Sequence, residues 1–208
     1  MDLNQIKQKV NEDKGIIDEE QAKKSAVLIP LIEVNEEWHI LFEIRSKALR
    51  SQPGDICFPG GRYDKKDAGL EDTAIRETSE ELGINKSEIT LLGDLAIYVP
   101  SPQMIVYPFV GYIHSANKIM PNEAEVDSVF SVPLYWLLQQ KPDRHIVDLI
   151  AKPKADFPFH KIYGGKNYTF RRHFMEELFY DYHEHTIWGL TAKILTHFIE
   201  VIQKDWEN

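Results

Sequence analysis

Apolar residues recur along this chain with two different periods, and the switches between them mark out its elements. Leu3, Ile6 and Val10 stand at helical spacing in a polar stretch, which predicts a short amphipathic helix over 2–12. Ala26 to Val34 is a β-rich apolar run, Asn35-Glu36-Glu37 is a turn signal, and Trp38 to Ile44 supplies a second strand, so the stretch reads as a hairpin. From Arg45 to Gly61 the pattern is broken by Pro53, Gly54, Pro59 and Gly60-Gly61, and the stretch reads as a loop. Leu70 to Leu82 has the clearest helical period, with Gly83 as its stop. Further strands are expected over 90–99, 104–113 and 128–132, and Tyr163 to Tyr168 reads as a hairpin turn between strands. Trp188 to Gln203 closes the chain as a helix whose apolar face carries Leu190, Ile194, Leu195, Phe198 and Ile202. Strands interleaved with helices predict an α/β fold, a mixed sheet covered by helices.

Composition narrows the class. With 208 residues, 43% hydrophobic and 27% charged, the chain fits one globular domain over 1–208, with 1–25 as an N-terminal helical extension. No apolar run approaches the ~20 residues of a membrane helix. Met1 to Lys14 lacks an apolar signal core, so the cytoplasm is the expected compartment and no membrane partner is expected. A net charge of −9 argues against nucleic acid as a partner, since that binding rests on Lys and Arg neutralising phosphates. A small anionic substrate stays open, because a divalent cation reverses the local sign of an acidic pocket. The single cysteine, Cys57, excludes an intrachain disulfide and, between Ile56 and Phe58, reads as a packed apolar residue.

The informative stretch is Arg76-Glu77-Thr78-Ser79-Glu80-Glu81-Leu82-Gly83-Ile84. At ~100° per residue, Ala74, Ile75, Thr78 and Leu82 form the core-facing arc of the helix. Glu77, Glu80 and Glu81 project together from another arc, toward a solvated pocket. Such neighbours repel, each pair by roughly 0.2–0.5 kcal/mol on an isolated helix, and Arg76 reaches Glu80 only in the less favourable order. A hard cation would relieve the repulsion and take the oxygens as ligands. Three glutamates alone also describe an ordinary solvated acidic face. What favours a metal and phosphate site is Phe58-Pro59-Gly60-Gly61 just before the helix, whose glycine pair lets backbone approach a ligand or turn sharply.

These residues resemble the box of the Nudix hydrolase superfamily, G-x5-E-x7-R-E-U-x-E-E-x-G-U with U a bulky apolar residue. Gly61, Arg76, Glu77, Glu80, Glu81, Gly83 and Ile84 match in identity and order. Asp67 stands in place of the first Glu, eight residues rather than seven separate it from Arg76, and Thr78 replaces an apolar residue. Asp67 reads either as a helix N-cap or as a ligand. Leu41, Arg45-Ser46, Arg50, Gly54 and Phe58-Pro59-Gly60-Gly61 resemble the segment that marks coenzyme A pyrophosphatases, from which Phe42 and Glu43 depart. Glu123 to Val126 and Ile187 to Ala192 are similar to later segments of that branch, while Gln103-Met104 differs from them.

The resemblance implies a Nudix-type α/β/α sandwich with a mixed β-sheet. It also implies Mg²⁺ or Mn²⁺ as cofactor and hydrolysis of the diphosphate of a small-molecule substrate, coenzyme A or a derivative, to 3′,5′-ADP and 4′-phosphopantetheine. Metal ligation falls to Glu77, Glu80 and Glu81, with Arg76 orienting them or forming a simple surface ion pair. Glu125 is a general base, a further ligand or an exposed loop acid. Arg45 and Arg50, with Gly60 and Gly61, bind substrate phosphate, or the two arginines are ordinary surface charges. His183-Glu184-His185 has a spacing seen in metal sites, without an evident partner cluster. Other readings are hydrolysis of NADH or ADP-ribose, a binding module of the same fold without catalysis, and an acidic protein docking a basic partner.

Overall fold

The computed structural model describes residues 2–12 and 15–204, so Met1 and Asp13-Lys14 of the polar N-terminal stretch lie outside it. In chain order the elements are α1 (Leu3–Glu12), β1 (Lys23–Val34), β2 (Glu37–Arg45), β3 (Ile56–Cys57), β4 (Gly60–Arg62), α2 (Leu70–Leu82), β5 (Ile89–Asp94), β6 (Tyr98–Ser101) and β7 (Met104–Ile113). They continue with β8 (Val126–Pro133), α3 (Leu134–Gln139), β9 (Asp143–Leu149), β10 (His173–Tyr182), β11 (His185–Trp188) and α4 (Gly189–Gln203). Helix α1 forms where its period predicts, yet buries none of its residues.

The period-two pattern of β1 is what makes a sandwich. Ala26, Leu28 and Ile32 point to one face of the main sheet and join Ala74 and Leu82 of α2 in one apolar cluster. Val27, Ile29 and Leu31 point to the other, where Ile194, Leu195 and Phe198 of α4 form a second cluster with Leu137 of α3. A smaller sheet, ordered β11-β10-β9, adds Leu178, Tyr180 and Ile187 to that second side. The expected α/β/α sandwich is therefore present. Its sheet is mixed, with β1 parallel to β7 and antiparallel to β2 and β4.

The main sheet is split near its middle. β1 and β2 pair from Leu31↔Ile40 to Val34↔Glu37, closed by a turn in which Asn35 and Glu36 both have positive φ. That combination is the turn type whose twist suits a hairpin. Earlier along β1 the partner changes, and Ser25 to Val27 pair with β4 instead. Pro30 pairs with Gly111 of β7 on one edge, while on the other edge it lies between the two pairings; its nitrogen faces that open edge, as does the Leu28 N–H that bonds Pro59, so no ladder bond is lost. Beyond the split, β2 takes β3 on the same side, Glu43↔Cys57 and Ile44↔Ile56, while β8 runs along its other edge.

The structure departs from the sequence expectations at three places. The stretch from Arg45 to Gly61 is only partly loop, since β3 and β4 lie within it and bridge the split. Its apolar anchor is Phe58, buried and stacked on Phe42 with ring centroids 5.1 Å apart. The N-terminal extension ends before residue 25, because Lys23 to Ser25 already pair with Met104 to Val106. Tyr163 to Tyr168 does not join two strands directly: it lies inside the long connection 150–172 between β9 and β10, whose aromatic rings pack on one another.

Gly60 is fixed by both backbone and space. Its φ is 152°, and an added Cβ would run into the Ala26 carbonyl and Val27. Gly60→Ala is expected to lower stability by more than about 2 kcal/mol in urea denaturation. A loss below about 0.5 kcal/mol would show that β4 is free to move off β1.

Candidate active site

The acidic helix α2 lies over the split. Its start is set by Gly69 as N-cap, with Asp72 reaching back to accept from the Ala68 N–H at 3.2 Å. Its end is set by Gly83 in the left-handed region at φ 64°, where a side chain would also meet the Met120 carbonyl. The orphan carbonyls of the last turn are met by the following loop: Met120 N–H donates to Leu82 and Asn122 N–H to Glu81, both at 2.9 Å. These bonds carry the loop into Glu125, whose own carbonyl accepts from the Ser46 N–H at 2.8 Å. Helix α2, the end of β2 and the start of β8 are thereby tied around one spot.

Arg76 is the hub of the acidic face. Asp67 accepts from its Nε at 2.8 Å and its Nη2 at 3.0 Å, and also from Thr73 Oγ1 at 2.8 Å. Asp67 therefore anchors Arg76 and does not cap the helix, and the guanidinium holds its carboxyl well below the usual carboxylate range. From this anchor Arg76 Nη1 reaches Glu77 at 2.9 Å and Glu80 at 3.2 Å. A lone surface ion pair does not describe it.

The three box glutamates differ in environment. Glu80 is the most exposed, with 56% of its side chain accessible. Glu77 is largely buried and its carboxylate lies against Gly61, where a Cβ would overlap it. Glu81 is only 5% exposed and accepts from the Gly60 N–H at 2.8 Å. The expectation of a solvated pocket is thus wrong for Glu81. Thr78, on the core-facing arc, occupies the slot an apolar residue was expected to fill, and its hydroxyl is buried without a partner.

A residue that the sequence reading passed over completes the group. Glu43 follows Leu41 on the α2-facing side of β2 and is 1% exposed. Its Oε1 accepts from Cys57 Sγ at 3.2 Å, while its Oε2 is buried with no hydrogen bond. Burial raises Glu43 above the ordinary carboxylate range, with the charges of Glu125 and Glu77 adding to it and Cys57 and Arg45 opposing. Burial likewise raises Glu81, with Glu43, Glu77 and Glu125 adding to it, and raises Glu77 against the pull of Arg76. Burial beside Glu43 also pushes the Cys57 thiol up, so it stays protonated as a donor. The signal available in the sequence was a charged residue at an inward position of an apolar strand.

Of the remaining residues, Arg45 ends β2 beside Glu43 and Cys57, with a buried Nε that has no partner. Arg50 is exposed on the connection from β2 to β3, and no hydrogen bond or ion pair among the described residues ties it to the glutamates. His183 and Glu184 occupy the turn between β10 and β11, and His185 stacks on Phe130 at 3.9 Å. Among the described residues no three His, Cys, Asp or Glu side chains stand as a ready metal cage. Arg76 contacts Glu77 through Oε1 and Glu80 through Oε2. The donor set nonetheless fits a hard divalent cation: it is all carboxylate oxygen, crowded by like charge, with one buried oxygen unpartnered.

The raised carboxyls have a sign that can be measured. A group that holds its proton more tightly in the folded chain stabilises the fold at low pH, and this is lost as pH climbs above the unfolded value near ~4.3. The metal-free protein in EDTA is therefore expected to lose thermal stability from about pH 5 up to about pH 9, the value to which Glu81 is raised. Asp67 acts oppositely, its contribution being lost only as pH falls below ~3.9. Glu81→Gln should flatten the fall in Tm; an unchanged slope would mean that Glu81 is not its source.

Comparison with known proteins agrees with this geometry. Residues 22–152 match the NUDIX domain family. The mouse peroxisomal coenzyme A diphosphatase NUDT7 is 34% identical over 139 residues, which is 67% of this chain and only 58% of the mouse protein. An uncharacterized Nudix hydrolase NudL of Photorhabdus laumondii is 33% identical over 181 residues, 87% of this chain and 86% of that protein. A solved structure of a MutT/nudix family protein from Enterococcus faecalis shares the fold, with a TM-score of 0.51 at 15% identity over 98% of this chain and 70% of that one. The matched span holds the split sheet, the acidic helix and the loop to Glu125, and this chain belongs to the Nudix hydrolase family.

Proposed function

We propose that this chain hydrolyses the diphosphate bridge of coenzyme A or a close derivative with Mg²⁺ or Mn²⁺, releasing 3′,5′-ADP and 4′-phosphopantetheine or its acyl form. The observation that carries the reading is the contact of Gly60-Gly61 with Glu81 and Glu77, at the end of a segment resembling that of coenzyme A pyrophosphatases. The mouse relative acts, by its name, on the same substrate. As that relative is peroxisomal by name, the cytoplasm is proposed here only on the lone cysteine, which suits a reducing compartment.

In this reading Glu77, Glu80 and Glu81 hold the cation, which when bound neutralises diphosphate charge and activates water. Asp67 fixes Arg76, and Arg76 sets the glutamates before the cation arrives. Gly61 leaves room for the Glu77 carboxylate. Arg45, whose buried Nε lacks a protein partner, is the cation assigned in this reading to a substrate phosphate oxygen. Glu125 takes the proton of the attacking water, whose oxygen joins one phosphorus while the bridging oxygen leaves with the other.

Two measurements test the reading. Glu81→Gln should keep the bond from Gly60 and the fold but lower kcat at least about 10²-fold; near-normal rates, or full activity in EDTA, would refute the role. With a panel of diphosphates and products identified by mass, coenzyme A should be cleaved at least ~10-fold more efficiently than NADH or ADP-ribose. Faster cleavage of either of those would move the substrate to another nucleoside diphosphate derivative.

A further inference from the structure

We propose that Glu43 is an additional ligand of the divalent cation, reaching from the sheet into the site that α2 supplies from above. This rests on the proposed metal site and extends it to a residue outside the acidic helix and its loop.

Side chains of β2 point in turn to the two faces of the sheet, with Ile40 and Phe42 in the α4-side cluster and Leu41 in the α2-side cluster. Glu43 therefore faces α2, in a row between its partners Cys57 and Val129. Position alone asks for an apolar residue here, and Val129 packs against the α2-side cluster. A carboxylate that is 1% exposed stands there instead.

One of its oxygens is accounted for and the other is not. Cys57 donates to Oε1 at 3.2 Å. Oε2 is left buried without any donor. Neither protonation state of Glu43 is satisfied by this chain alone. Ionised, it is a buried charge beside the charges of Glu125, Glu77 and Glu81; protonated, its Oε2 still has no hydrogen-bond partner. Arg45 adds a favourable field but makes no hydrogen bond to it. A cation shared with Glu81 and Glu77 satisfies the orphan oxygen and removes the crowding in one step. Cys57 then acts as a positioning residue, its high thiol holding Oε1 so that Oε2 is presented.

The test is Mn²⁺ binding without substrate, followed by calorimetry and by the spin-resonance line of the bound ion. Glu43→Gln should weaken Mn²⁺ binding at least ~10-fold and alter the line, as loss of a ligand requires. Glu123→Gln, which removes one charge from an exposed loop position nearby, should leave affinity within about twofold. Equal Mn²⁺ affinity and an equal line in Glu43→Gln and the unsubstituted protein would overturn the inference while leaving the α2 site standing. Equal weakening by Glu43→Gln and Glu123→Gln would likewise overturn it, reducing Glu43 to a general charge effect. No Mn²⁺ binding by the unsubstituted protein would overturn the underlying metal site and this inference with it. If Glu43→Gln does not fold, Glu43→Asp keeps the charge but shortens the reach. Its expected result is weaker binding with a changed line, and unchanged affinity and line would refute ligation.

Discussion

Carboxylates held away from water and close to one another are the condition on which the rest of this molecule depends. Like charges in such a place are unfavourable for the isolated chain, and each feature of the site limits the cost. Gly60 supplies an N–H to Glu81, Gly61 leaves room for Glu77, Arg76 spans two of the acids, and Cys57 steadies Glu43. Those partners are in place only because β4 is laid on β1 and β3 on β2. The opening in the sheet is thus a requirement of the electrostatics as much as a feature of topology.

Helices α1, α2 and α4, the hairpin and the strands β7 and β8 were legible in the sequence because their apolar periods are unbroken, whereas α3, only six residues long, and the smaller sheet β9 to β11, whose first strand is exposed along its length, were not placed. Leu70 to Leu82 is bounded as its pattern and Gly83 indicate, and Asn35-Glu36 forms the hairpin turn. The two shortest strands were not legible: two or three residues carry no period, and Gly60-Gly61 reads as a turn unless its partner on β1 is known. Asp67 misled for a related reason. An acid just before a helix suits a cap, but its bond to Arg76 crosses nine positions and depends on how the preceding loop folds back. Glu43 was hidden most completely. Alternation gives the direction of its side chain, whereas what meets it comes from α2 and the loop to Glu125, distant in sequence.

Proline in the central strand β1 would ordinarily argue against a strand there. Here Pro30 sits where one edge of β1 passes from β4 to β2, while the ladder to β7 continues on the other edge, so a residue without an N–H marks the place where only the first edge is interrupted. Turn, proline and glycine pair together define the opening from both sides. Phe58 then secures the inserted segment through its stack on Phe42, on the face away from the carboxylates. Apolar packing holds one side of this segment and polar contacts use the other.

The two apolar clusters on opposite faces of the main sheet are unequal. The α4 side gathers most of the large buried side chains, including those of the smaller sheet, whereas the α2 side is a lesser cluster that also shelters the charged groups. The layers therefore need not melt as one. The smaller α2-side cluster is expected to open at a lower free energy than the α4 side, so that its amides exchange first. A ligand that bridges Glu81 to the sheet would close that gap and bring the helix into register with the global transition. The layer that carries the glutamates and the layer that holds the larger core thus share one sheet but differ in how much apolar surface secures each.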